Sequence, residues 1–125
     1  MYRKYLLIGA ILAGTGVASG AFGAHALETR LTPDLLAVYE TGVRYGLMHA
    51  LAILIAALAC ERWPAAGWGR AVWSFVLGIA LFSGSLVALA LTGLRVLGAV
   101  TPLGGICFLV GWGFTARAAV RSGSN

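Results

Sequence analysis

Four apolar stretches of about twenty residues each, separated by short charged links, set the terms for this sequence; they fall at about 5–24, 41–60, 71–92 and 97–116. A helix rises about 1.5 Å per residue, so each stretch is about 30 Å long, the thickness of a hydrocarbon core. Charge is too scarce for a soluble alternative. Only 10% of the 125 residues are charged, whereas a soluble domain carries roughly a quarter and needs them for its surface. The expected fold is therefore an all-α bundle of four transmembrane helices, one integral membrane domain over residues 1–125. The lipid bilayer is its first partner.

The first span carries the clearest internal pattern. Gly9, Ala13, Gly16, Gly20 and Gly23 recur at alternating steps of four and three, which places them on one stripe of a helix, with Leu7, Ile11 and Phe22 opposite. Small residues let helices approach closely in lipid, where no hydrophobic drive separates one apolar surface from another. The stripe marks this span as the one the others pack around, with Gly16 and Gly20 at a close contact. Arg3-Lys4 and Ala24-His25-Ala26 imitate the flanks of a secretory signal. The apolar run from Tyr5 to Gly23 exceeds the roughly 7–15 residues of such a region, so a retained anchor is expected.

Thr32, Pro33 and Asp34 suit the cap and first turn of a second helix, amphipathic over about 33–44 and apolar beyond. On its wheel Gly42, Gly46, His49, Ile53, Ala56 and Cys60 share a stripe, while Glu40 and Arg44, four apart, lie opposite. Trp63, Pro64 and Trp68 mark the next link. In the last span Pro102 removes a helical hydrogen bond, so that helix is expected to start late or kink there. Ala18–Leu27 aligns without gaps to Phe82–Leu91 with five identities. A duplicated hairpin and the shared Ala, Gly and Leu content both account for that.

The net charge is +5, but the nine basic residues are scattered at span ends. That is a topology signal, and no nucleic-acid partner is expected. With the N-terminus inside, Arg3, Lys4, Arg62, Arg70, Arg117 and Arg121 are cytoplasmic, against Arg30, Arg44 and Arg95 outside. Met1 and Asn125 then both face the cytoplasm, and Trp63, Trp68, Trp73 and Trp112 fall near the inner interface. Cys60 and Cys107 read as inert buried thiols at different depths.

Four stretches, Gly20-Ala-Phe-Gly-Ala-His25, Tyr45-Gly-Leu-Met-His49-Ala-Leu-Ala, Phe82-Ser-Gly-Ser-Leu86 and Thr101-Pro-Leu-Gly-Gly105, occur in an order matching a known family. The chain resembles the YgdD/YwdK-like family of small bacterial inner-membrane proteins, a domain of unknown function with distant mitochondrial relatives. The resemblance implies four spans in the inner membrane and no established activity. It supplies no catalytic residue, and it suggests that His25, His49, Ser83, Ser85 and Pro102 belong to the family's pattern.

Ionisable groups at membrane depth are costly, which makes them the first place to look for function. The candidate polar site comprises His25, His49, Ser85, Thr101 and Pro102, all but Ser85 toward the outer half of the bundle. His49 is the sharpest member, expected to be buried, neutral and hydrogen-bonded, to Ser85 or to a carbonyl freed by Pro102. His25 is weaker, pointing away from the glycine stripe. Ser83 and Ser85 face different directions. Two histidines without a third ligand on the same face make no metal signature, and neither serine has a histidine–carboxylate partner for nucleophilic catalysis. No catalytic, cofactor-binding or metal residues are therefore assigned. The packing residues are Gly9, Gly16, Gly20, Gly23, Gly42 and Gly46. The expected function is a non-enzymatic membrane protein that packs as a homo-oligomer or within a larger membrane complex. The alternative is a small transporter or channel component with its polar site near His49.

Overall fold

A computed structural model describes residues 1–124 of the chain; Asn125, placed in the cytoplasm by the charge pattern, lies outside the described residues. Four long apolar helices stand side by side, covering Tyr2–Leu27, Pro33–Arg62, Trp68–Thr92 and Arg95–Ser122. Helix α1 (Tyr2–Phe22) runs into a π-helical turn at Gly23–Leu27. Helix α2 is unbroken from Pro33 to Arg62, so its amphipathic lead-in and its apolar span form one rod. Thr32 caps it, its hydroxyl accepting from the Leu35 N–H at 3.3 Å, and Pro33 occupies the first turn. The third span is α3 (Trp68–Gly78), a π-helical turn at Ile79–Ser83, and α4 (Gly84–Thr92).

Gly93 ends α4 at φ +72°, a conformation that disfavours a side chain, and its N–H returns to the Leu89 carbonyl at 2.7 Å. A 3₁₀ segment, Arg95–Ala99, leads into α5 (Thr101–Ser122). Pro102 sits in the first turn of α5, where a missing N–H costs nothing. Of the two outcomes expected at this proline, the late start is the one that occurs. The π-turns of the first and third spans fall at different places in the Ala18–Leu27/Phe82–Leu91 alignment. Local geometry therefore gives the duplicated hairpin no support.

The centre of the bundle is α2 and not the first span. Half of the most apolar window of α2 is buried, against 11% for the first span. α1 leans on α2 alone along most of its length and meets α3 at the end where Tyr5 reaches Gly69 and Trp73. The glycine stripe is thus a groove, and it is filled by side chains rather than by another backbone. A Cβ built on Gly9, Gly16 or Gly23 would stand 2.5–2.8 Å from Leu54, Leu47 or Tyr39 of α2. Gly20 stands back, with Val43 at an ordinary 3.5 Å. Leu7, Ile11, Val17 and Phe22 on the far side of α1 are exposed, as a lipid-facing surface requires.

The main core lies toward the chain termini, where Ile53, Ala56 and Ala57 of α2 meet Ala71, Val72 and Phe75 of α3 and Phe108 of α5. A smaller cluster of Leu27, Tyr39 and Ala90 closes the other end. Cys60 and Cys107 are free thiols.

Candidate functional site

His49 lies near the middle of α2, on the stripe with Gly42, Gly46, Ile53 and Ala56, all of them buried. Its ring is only 3% exposed, whereas Glu40 and Arg44 on the opposite side are exposed. Both ring nitrogens have partners. Nδ1 is 2.7 Å from the Tyr45 carbonyl, one turn earlier on the same helix. Nε2 is 3.1 Å from the indole nitrogen of Trp112 on α5. A carbonyl can only accept and an indole N–H can only donate, so Nδ1 carries the proton and Nε2 is the acceptor. That is neutral imidazole in a single tautomer. A second proton on Nε2 would face the indole N–H, and the bond to Trp112 would be lost.

The imidazole is also sealed by rings. Phe108 stacks on it at 3.6 Å between centroids and 10° between planes, and Phe75 tilts against it at 5.4 Å. Tyr45 lies nearly parallel at 6.2 Å. Two glycines make room for the phenylalanines. Phe108 of α5 sits on Gly78 of α3, and Phe75 of α3 sits on Gly111 of α5, within 2.6 Å of where a Cβ would be. Each helix therefore offers a Phe and, three residues on, a Gly to receive the other's Phe. The hydrogen bonds hold the imidazole between those rings, and a cavity of about 40 Å³ lined by Phe75 and Trp112 is not lined by His49.

The other candidate residues do not converge on this ring. Ser85, Thr101 and Pro102 form a second group at the start of α5. The Ser85 hydroxyl donates to the Phe82 carbonyl at 3.0 Å and lies 2.6 Å from Thr101 Oγ1. Having spent its one proton on the carbonyl, Ser85 accepts from Thr101. This group is separated from Trp112 by eleven residues of α5, about 16 Å of helix. The expected bond from His49 to Ser85, or to a carbonyl near Pro102, is therefore replaced by the pair Tyr45 and Trp112. His25 is exposed on the π-turn that ends the first span and stands apart from both groups. Trp112, expected at the inner interface, lies mid-way along α5 with its indole N–H on His49 and 45% of its surface exposed.

Sequence reasoning missed Trp112, Phe75, Phe108 and Gly111 as the setting of His49. A signal existed. Phe75-Val-Leu-Gly78 and Phe108-Leu-Val-Gly111 repeat one Phe-x-x-Gly spacing in two spans. Tyr39 was missed as well; it covers Gly23 and its hydroxyl donates to the Ser19 carbonyl at 2.6 Å. Ser83 is the one buried side chain among the described residues whose polar atom lacks a partner; its hydroxyl is pressed against Gly46. The described residues contain no group of three metal-ligating side chains.

The chain matches a family model described as "Protein of unknown function (DUF423)" over residues 19–105. It is 42% identical to the UPF0382 membrane protein YwdK of Bacillus subtilis over 120 residues, covering 95% of this chain and 98% of that one. It is also 42% identical to the UPF0382 inner membrane protein YgdD of Escherichia coli K12 over 125 residues, covering 97% and 93%. A UPF0382 membrane protein of Staphylococcus haemolyticus, SH2409, is 41% identical over 88% of this chain and 89% of its own. No solved structure matches the chain significantly. With its four apolar helices and these relatives, the chain belongs to the DUF423 (UPF0382) family of small multi-pass membrane proteins.

Proposed function

We propose that this protein is a non-enzymatic packing component of the bacterial inner membrane, working as a homo-oligomer or as an accessory subunit of a larger membrane complex. The observation that carries the reading is the state of the buried His49 side chain. Both nitrogens of His49 are committed to hydrogen bonds, Phe108 stacks on its ring and Phe75 tilts against it. A relay or transport site needs a free nitrogen or a wet approach, and a polar group so enclosed acts as a clasp between helices. Surface available for packing lies elsewhere. An apolar groove of about 290 Å³ runs between α1, α2 and the third span, walled by Gly16, Gly42, Gly46 and Gly84.

Both termini are assigned to the cytoplasm. The end of the bundle that gathers them carries Arg3, Lys4, Arg62, Arg70, Arg117 and Arg121 against one acidic residue, Glu61. At the opposite end Arg30, Arg44 and Arg95 are balanced by Glu28, Asp34 and Glu40. The whole net charge of +5 thus belongs to one end, which the positive-inside rule puts in the cytoplasm. Reporter fusions at the two termini test this, and a periplasmic signal from either one reverses it.

Diethyl pyrocarbonate modification followed by peptide mass analysis tests the main reading. In folded protein in detergent, exposed His25 should react rapidly and His49 should be protected until the bundle is denatured. Modification of His49 at a rate near that of His25 would mean an open polar centre and would favour the transporter reading.

A further inference from the structure

We infer that the cavity at the basic end of the bundle binds a phosphate group carrying net negative charge. The cavity is about 510 Å³ and lies where the C-terminal ends of α2 and α5 meet the link between α2 and α3. Arg62 and Arg121 line it from the two helices, and Pro64, Ala65 and Ser124 complete its wall. Guanidinium groups match phosphate oxygens with paired N–H donors, and two of them line this one cavity.

The surroundings hold the cavity in shape. The Arg62 guanidinium rests over the Trp63 ring at 5.4 Å from its centroid, and Trp63 is itself packed against the main core. Pro64–Ala66 form a 3₁₀ turn closed by the Ala66 N–H on the Trp63 carbonyl at 3.1 Å. On the opposite side the Trp68 indole donates to the Ser122 hydroxyl at 3.1 Å, and Ser122 donates to the Ala118 carbonyl at 2.8 Å. That pair ties the last turn of α5 to the link and fixes the distance between the walls. Trp63 and Ala66 add apolar lining to the two cations, which suits a group with a hydrocarbon side and a phosphate side.

Two sources carry this chemistry at the end of a membrane helix: an anionic phospholipid headgroup, with phosphatidylglycerol as its probe, and a soluble phosphate ester, with glycerol 3-phosphate as its probe. The full chain is purified in neutral maltoside detergent and offered each probe, with phosphatidylcholine as the zwitterionic control. Native mass spectrometry counts retained lipid, and the melting temperature reports binding of either probe. The expected result is selective retention of phosphatidylglycerol or stabilisation by glycerol 3-phosphate, the probe that acts naming the source. Apparent affinity should fall at least about tenfold in Arg62→Gln/Arg121→Gln. Arg117→Gln, which removes a charge at the same end outside the cavity, should keep it. Ala65→Trp, which fills the cavity and leaves every charge in place, should lose it, and this variant decides the matter if the arginine variants fold poorly. An equal loss in Arg117→Gln, full binding by Ala65→Trp, or no binding of either probe overturns the inference.

Discussion

The two seams that α2 makes with its neighbours both contain glycines, yet they are held by different means. Toward α1, the glycines belong to α1, and the groups filling them are side chains such as Leu47 and Leu54, whose ends can rotate. One hydrogen bond, Tyr39 to Ser19, crosses that seam. On the other side, α3, α4 and α5 close on α2 and on one another with rigid parts. A Cβ on Gly42 would stand 3.2 Å from the Ser83 carbonyl, and one on Gly104 would collide with the backbone nitrogen of Phe82. Aromatic rings and the His49–Trp112 bond complete that side. The difference teaches that a glycine's importance depends on what it faces. A flexible side chain can give way, and a backbone or a wedged ring cannot.

The sharpest break is at Gly104. Gly104→Ala should cost about 3 kcal/mol or more, because the added methyl meets the backbone of the π-turn and the helices must separate. Unfolding in mixed micelles measures this, and a near-wild-type result would show that the two faces are equally soft. Next comes His49→Ala, which leaves the Trp112 N–H without its acceptor and opens a hole beside Phe108. About 2 kcal/mol should be lost. His49→Gln supplies both a donor and an acceptor and should recover about half of it by the same assay.

Trp112→Phe keeps an aromatic ring but removes the donor to Nε2 together with part of the indole's packing surface. Its cost should be about 1 kcal/mol, in the range found for hydrogen bonds between membrane helices. It should also make His49 measurably more reactive to diethyl pyrocarbonate, because Nε2 is freed. On the α1 seam, Gly16→Ala pushes on the end of Leu47, and a loss of about 1 kcal/mol or less is expected. Gly20→Ala should be neutral or slightly stabilising, since Val43 stands back and alanine is the better helix former by roughly 0.5–1 kcal/mol. Thermal melting of the pair ranks them, and a larger loss at Gly20 than at Gly16 would break the comparison. The smallest effect belongs to Ser83→Ala. Removing a buried hydroxyl that has no partner should leave stability unchanged or raise it by up to about 1 kcal/mol.

The candidate site was half legible. The helix wheel placed His49 on the buried stripe of α2 with Gly42 and Gly46, because spacing along one helix is set by local geometry. Its partners were named wrongly because they depend on how far α5 is shifted against α2. Phe75 on Gly111 and Phe108 on Gly78 fix α5 against α3, and Phe108 stacked on His49 fixes it against α2. A wheel drawn for each helix separately holds no information about such a register. The same holds for the leading place given to the first span. Its glycine stripe shows that something packs against it, and only the assembled bundle shows that α2 alone does so.

By itself the sequence determined the solvent, the number of spans, the cap at Thr32, an interruption at Pro102 and the uneven distribution of charge between the two ends. Each of these rests on composition or on residues within a few positions of one another, where helix geometry and the cost of burying charge leave no choice. The tertiary structure alone decided that α2 is central, that His49 is clasped by Trp112, and that Arg62 and Arg121 share a cavity. Those are meetings of residues 59 to 63 positions apart, as in Arg62 with Arg121 and His49 with Trp112. In lipid, where one apolar face resembles another, such meetings are settled by close steric fit and by a few directional hydrogen bonds.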